Sequence, residues 1–382
     1  MNWKSILLTV VIGLLVPMVL EGRTWRVEQD GTGDWLTLQS AVDAAASGDT
    51  ILIGPGRYDQ LHSSPYGETS VVYWSLLKGI IFIGTHVDSV IVGPLAYIDD
   101  TNGFKCESIS SQEFIDITFN NLKRGLGTNG NLKVKGCKFI ECGYGVIGYG
   151  VPGVSEVTVT ACFFQGRDWK NTSHALNIRD YASALLDNCE IRDMGMYFQG
   201  ISSSNVTDCK LESTFYKEST NFYNSNVFFA YNEVEARLGV QGTSWVEIRN
   251  NHFFFSQDVS NLSITDRTAS VEAYDNIFEG GPDATITMLY CSSITGSGNH
   301  ILNGGSQYSI YLFEGGVQHM ATINLSNNYW GTTDSTAIAD WILDKNDDSS
   351  MINEVQFLPF SADPLPVEGL KKSFGGMKAM FR

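Results

Sequence analysis

The 382-residue sequence predicts an all-β fold: a single-stranded right-handed parallel β-helix with a helical cap at the front and a helix-and-strand cover at the back. Three observations carry this. Small Cys or Asn residues recur at a spacing that averages about 24 residues, apolar residues flank them at fixed offsets, and glycine is abundant enough for many tight turns. A 43% apolar content excludes a disordered polymer.

The chain opens with one Lys and an apolar run, Ile6 to Leu20, broken by Gly13 and Pro17. That is short for a membrane span and normal for a secretory leader, so residues 1–23 are expected to be a signal peptide. The mature chain is then secreted, periplasmic or on the cell surface, without a stable membrane span. In Thr37–Ala46 the spacing of Leu38, Ala41, Val42 and Ala45 predicts an amphipathic helix that Gly48 ends, and the TILI segment begins a strand. Placed over the first coil, this helix covers an otherwise exposed solenoid end.

The column itself runs Cys137, Cys162, Cys189, Cys209, Asn232, Asn251, Asn276, Asn299 and Asn328. Two residues after each member stands an apolar residue, from Phe139 to Trp330. Positions three and five before it are mostly apolar too, with Ser204 and Gly296 as soft spots. Offsets −5 and −3 share one strand face, as do 0 and +2, so the odd step between the pairs requires a bend. One short strand, a corner and a second strand make part of a coil, and later segments such as ALNIRD and MYFQG supply a further wall. Only stacked coils bury the resulting face. Stacked Asn amides satisfy one another at such a corner, and Cys fills a similar small volume without strong partners. Propeller blades need longer repeats, and a leucine-rich repeat needs a different pattern.

At the back, Ile338, Trp341 and Ile342 predict one helical face, and NEVQFLPF a final strand. The β-helix domain is read as residues 24–362. Residues 363–382 form a basic tail with Lys371, Lys372, Lys378 and Arg382, read as flexible, with a role in sorting or attachment to export or cell-surface machinery as one alternative.

The front segment VEQDGTGDWLTLQSAVDAAASGDTILIGPGRYDQ resembles the opening of pectin-lyase-like proteins, including pectin methylesterases. The closing NNYWGTTDSTAIADWILDKNDDSSMINEVQFLPF is similar to the last coil of secreted bacterial right-handed β-helix repeat proteins. The resemblance implies the fold over nearly the whole mature chain and leaves the activity open. The catalytic patterns of pectin methylesterases, galacturonan hydrolases, pectate lyases and alginate epimerases are absent. QGRDW at 165–169 departs from the first of these, and Asp99–Asp100 lacks companion motifs.

Candidate chemistry therefore rests on residue types alone. Two adjacent coils bring Arg167, Asp168, Lys170, His174, Arg179, Asp180, Arg192 and Asp193 close in sequence. An Asp pair such as Asp168 and Asp193 suits glycoside hydrolysis, whereas His174 or Lys170 with an Arg suits elimination from an acidic sugar. The alternative is a solvated face of ion pairs, each worth about 0–1 kcal/mol. His252 and His300 follow their column Asn and are expected to face solvent. Asp344, Asn346, Asp347 and Asp348 form an oxygen-rich turn that Ca²⁺ favours, but the turn glycine is missing and Ile352 occupies the ninth position of the loop count. The seven cysteines leave an odd thiol, and the column is read as buried thiols with neighbouring disulfides as the alternative. Tyr216, Phe222 and Tyr223 are candidates for a sugar-stacking platform. A formal charge of −17 disfavours nucleic acid. Two functions follow: polysaccharide binding without cleavage, or a lyase or hydrolase with its site near residues 165–195.

Overall fold

The computed structural model describes residues 22–366 apart from 64–66, 76, 108, 168–172, 213–219, 255–259, 291, 316–318 and 365. Three parallel sheets of 13, 11 and 13 strands run the length of a right-handed solenoid, and each internal coil contributes one strand to each sheet. A representative coil lays Ser183–Asp187 in the first sheet, Glu190–Arg192 in the second and Gly195–Gln199 in the third. One pairing departs from parallel: His62–Ser63 runs antiparallel to Thr69–Trp74.

The predicted column lies at the corner between the first and second sheets. All nine members, Cys137 to Asn328, are buried. The bend required by the odd offset is made by the residue just before each member, which takes a left-handed backbone. Gly136, Asn188, Asp208, Asn250, Asp275, Gly298 and Asn327 are residue types that tolerate it. Ala161 (φ 52°) and Tyr231 (φ 61°) are not, and are held there by the coils on either side. Position +2 builds a second column in which Phe119, Phe139 and Phe164 stack at 4.9 and 4.7 Å. Gly145 makes room for this, since a Cβ there would come within 2.6 Å of the Phe164 ring.

The front helix is Leu38–Ala44, capped by Thr37, whose hydroxyl accepts from the Ser40 amide, and its buried side chains are Leu38, Ala41 and Val42. The back helix is shorter than the apolar spacing predicts. It spans Ser335–Asp340 with Ile338 buried, and Trp341 ends it. Ile342 instead joins the strand Ile342–Leu343, which pairs with Ile310 and Tyr311 at the edge of the third sheet. NEVQFLPF does not form the expected strand either. It touches the last coil through one isolated bridge, Asn324 to Gln356, a second joins Tyr329 to Ser361 just beyond it, and Pro359, which has no N–H to give, stands between them.

Candidate functional site

Strand alternation places a row of tyrosine, amide and basic side chains on the outer face of the third sheet. The strands Tyr144–Tyr149, His174–Arg179, Gly195–Gln199 and Thr220–Tyr223 lie side by side there. Register aligns Ile147, Asn177, Tyr197 and Asn221 in one outward column, and Tyr149, Arg179, Gln199, Tyr223 and Gln241 in the next. His174 stacks on Tyr144 at 5.7 Å and meets Tyr197 edge-on at 6.3 Å. The Arg179 guanidinium sits 5.6 Å over Tyr149 and 5.3 Å over Tyr197, and its Nε donates to Asn177 Oδ1 at 3.1 Å. The Tyr197 hydroxyl donates to Gln199 Oε1. These contacts fix ring faces and amide edges along the fibre of coils.

Towards the front this face opens into a cleft of about 240 Å³ whose lining includes Glu68, Lys105, Glu107, Arg124, Gly127 and Tyr149. Lys105 Nζ lies 2.7 Å from Glu68 and 3.1 Å from Glu107, while Arg124 lies 3.3 Å from Glu68. The Tyr73 hydroxyl donates to Glu107 at 2.9 Å. The hydrogen bond from Lys105 holds the Glu68 carboxyl below its ordinary range. For Lys105, burial lowers the pKa, but Glu68 and Glu107 overcome it and leave it raised. At neutral pH both groups are charged, and neither is poised to pass a proton. The sequence reading missed this cluster, because its members come from three coils and a connection. Each is an ordinary surface residue taken alone.

Those candidates near residues 165–195 that are described do not gather at one point. Asp168 and Lys170 lie outside the described residues. Arg167 leaves the second sheet with its guanidinium 3.6 Å over Tyr97 and its Nε 4.0 Å from Glu141. Arg192 is paired with Glu190 and with Glu212 at 3.0 Å. Asp193 forms the corner between the second and third sheets, accepting from Gln165 Nε2 at 3.0 Å. His174 begins a third-sheet strand, whereas Arg179 ends it and Asp180 makes the following corner. Five residue steps separate the two ends, about 17 Å. Closeness in sequence became distance along a strand.

Other expectations resolve similarly. Phe222 is fully buried, packed in register with Phe198 and Val240, and is no platform residue. Tyr223 faces outward, and Tyr216 lies outside the described residues. His252 is half-buried rather than open to solvent, stacked on Phe254 with Nε2 2.6 Å from Glu279. His300 packs edge-on to Tyr329. In the acidic turn, Asp344 accepts from the amides of Asn346 and Val355, Asp347 from Asp344, and Asp348 from Ser350. Those carboxylates order their own loop, with Asn346 serving as a backbone donor. Among the described residues no group of three or more His, Cys, Asp or Glu side chains is arranged to hold a metal. The six described cysteines are all buried, those of the column, Cys137, Cys162, Cys189 and Cys209, are free thiols, and burial pushes Cys137 and Cys142 up to about 12. Cys291 lies outside the described residues. Among them, too, no helix is long and apolar enough to cross a membrane.

No family model matches the chain. Searches of curated proteins and of solved structures likewise give no match. The fold stands on its own coordinates, a parallel β-solenoid consistent with the pectin-lyase-like superfamily.

Proposed function

We propose that this is an exported protein that binds an extracellular or surface polysaccharide along the outer face of the third sheet, without cleaving it. The observation that carries the reading is the in-register run of Tyr149, Arg179, Gln199, Tyr223 and Gln241 beside Tyr197 and Asn221. Ring faces pack against the C–H faces of pyranoses, and amides exchange hydrogen bonds with hydroxyls. A repeating polymer matches a repeating surface with coils about 4.8 Å apart. Lys105 and Glu68, both held in their charged forms, support binding rather than proton transfer. The apolar leader 1–23 supports export, and the basic tail 363–382 is the segment through which export or attachment machinery would engage. The lyase or hydrolase reading, with Asp168, His174 and Asp193 in catalysis, is the alternative.

The test is affinity electrophoresis against a glycan panel, with reducing ends and unsaturated-uronate absorbance read in parallel. At least one glycan retards the wild type, Tyr197→Ala and Tyr223→Ala each weaken retardation about tenfold, and both product assays stay at background. Product that disappears in Asp168→Asn, His174→Gln or Asp193→Asn would replace binding by catalysis. Failure to retain any glycan would overturn the proposal.

A further inference from the structure

The outer face of the first sheet carries a second patch of different chemistry. The strands Asn226–Ala230, Trp245–Arg249 and Ser270–Tyr274 are neighbours there. Their register puts Phe228, Glu247 and Glu272 in one outward column and Ala230, Arg249 and Tyr274 in another. Glu247 and Glu272 are thus directly opposite across adjacent strands, an arrangement that destabilises a sheet. Arg249 beside them pairs with Glu247, with Nη2 at 3.0 Å and Nε at 3.1 Å from the same oxygen, and its guanidinium lies 5.1 Å over the Tyr274 ring. Glu272 receives neutral donors instead. The Trp245 indole N–H reaches Oε1 at 3.2 Å and the Tyr274 hydroxyl reaches Oε2 at 3.4 Å.

These bonds determine what the patch presents. The polar edge of Trp245 is occupied by Glu272, so the 39% of the residue that is exposed offers its ring. Each oxygen of Glu272 keeps a further lone pair for an incoming donor. An aromatic face beside a carboxylate with no ion-pair partner among the described residues attracts a cation twice, through the ring quadrupole and through the charge. The same carboxylates repel a uronate. A flat sheet face with no surrounding wall suits an extended chain laid across it better than a small enclosed ligand.

We propose that Trp245, Glu272, Glu247 and Tyr274 form a binding site for an amino-sugar glycan, with a pyranose ring stacked on Trp245 and its ammonium held by Glu272. This site is on a different sheet from the polysaccharide face described above, so each stands or falls without the other. The test is titration of the full chain with glucosamine oligomers, N-acetylglucosamine oligomers and galacturonate oligomers, read by calorimetry and tryptophan emission. Glucosamine oligomers bind, shift the emission, and bind at least tenfold more weakly when NaCl is raised to about 0.5 M, where screening is strong. Glu272→Gln, which keeps the side-chain shape, and Trp245→Ala each weaken binding at least tenfold at unchanged melting temperature, whereas Leu95→Ser, at an exposed residue away from both faces, has no effect. Equal affinity for the N-acetylated oligomers, or Glu272→Gln binding like wild type, overturns the proposal. So does a Trp245-dependent dimer in light scattering with no glycan bound.

Discussion

Asn251 uses every hydrogen-bonding position of its amide. Its Nδ2 donates to Phe229 O (2.8 Å) and Asn276 Oδ1 (2.9 Å), and its Oδ1 accepts from the backbone N and the Nδ2 of Asn232. Cys189 does the same work more weakly, donating to Val159 O at 3.7 Å and accepting from Cys162 N at 3.4 Å. The two halves of the column meet where Cys209 N donates to Asn232 Oδ1 at 2.9 Å. Asn251→Leu leaves buried donors of Asn232 unpaired and is expected to cost about 3 kcal/mol in urea unfolding. Asn251→Cys, which restores a weak donor and acceptor, is expected to cost about half as much. If the two variants unfold at the same midpoint, hydrogen bonding is not what the column supplies. The column was readable because its offsets repeat along the chain. The left-handed residue before each member was readable in principle from its Asp, Asn and Gly bias, although Ala161 and Tyr231 break it. Phe222 was misread because it stands ten residues before Asn232, outside the offsets at which apolar residues recur around the column.

At the scale of an element, the front helix is too short to persist alone and depends on its anchors. Lys78 donates to the carbonyls of Val42 and Ala45, meeting the end of the helix from the next coil. Asp49 ties the helix exit to the first strand by accepting from Ala46 N, Trp25 Nε1 and Arg23 N at 2.7–2.9 Å. Burial raises the Asp49 pKa, but these three donors outweigh it, and the value falls below the ordinary one. The folded form therefore releases this proton more readily than the unfolded form. The associated stability is fully present above about pH 3.9 and is lost as the pH falls through the depressed value. Asp49→Asn should lower the melting temperature at pH 7 and flatten its decline below about pH 4. Hydrogen exchange of residues 38–46 reports whether the cap loosens first. An unchanged acid profile would remove Asp49 from the account. The helix was legible from its stripe and the glycine beyond it, whereas its partners Lys78 and Asp49 were not, since neither carries a period. The back helix was overextended because the spacing of Ile338, Trp341 and Ile342 fits a helical face, yet pairing with Ile310 draws Ile342 into the third sheet.

Across the whole molecule, stability comes from neighbour-on-neighbour stacking, so an internal coil is a removable unit. Deleting residues 232–250 joins Tyr231 to Asn251 and leaves a left-handed residue followed by a column residue, as at the other column corners. The shortened chain is expected to keep a β-rich circular dichroism spectrum and one cooperative melt. Deleting residues 232–241, about half as much, breaks the column and should abolish that melt. Equal tolerance of both deletions would mean that coil register is not what holds the solenoid. The candidate binding faces belong to this scale too. Glu68 meets Arg124 across 56 residues, and Glu247 faces Glu272 across 25.

The repeat, the inward residues and the two covers were determined by the sequence itself, because burial is recorded as a period within one strand and its corner. Which outward residues adjoin was decided only by the tertiary structure. Coil lengths in the column vary from 19 to 29 residues, so no fixed spacing says which tyrosine lies beside which arginine. Their neighbourhood is set by hydrogen-bond register between coils, and register leaves no mark on residues that face solvent.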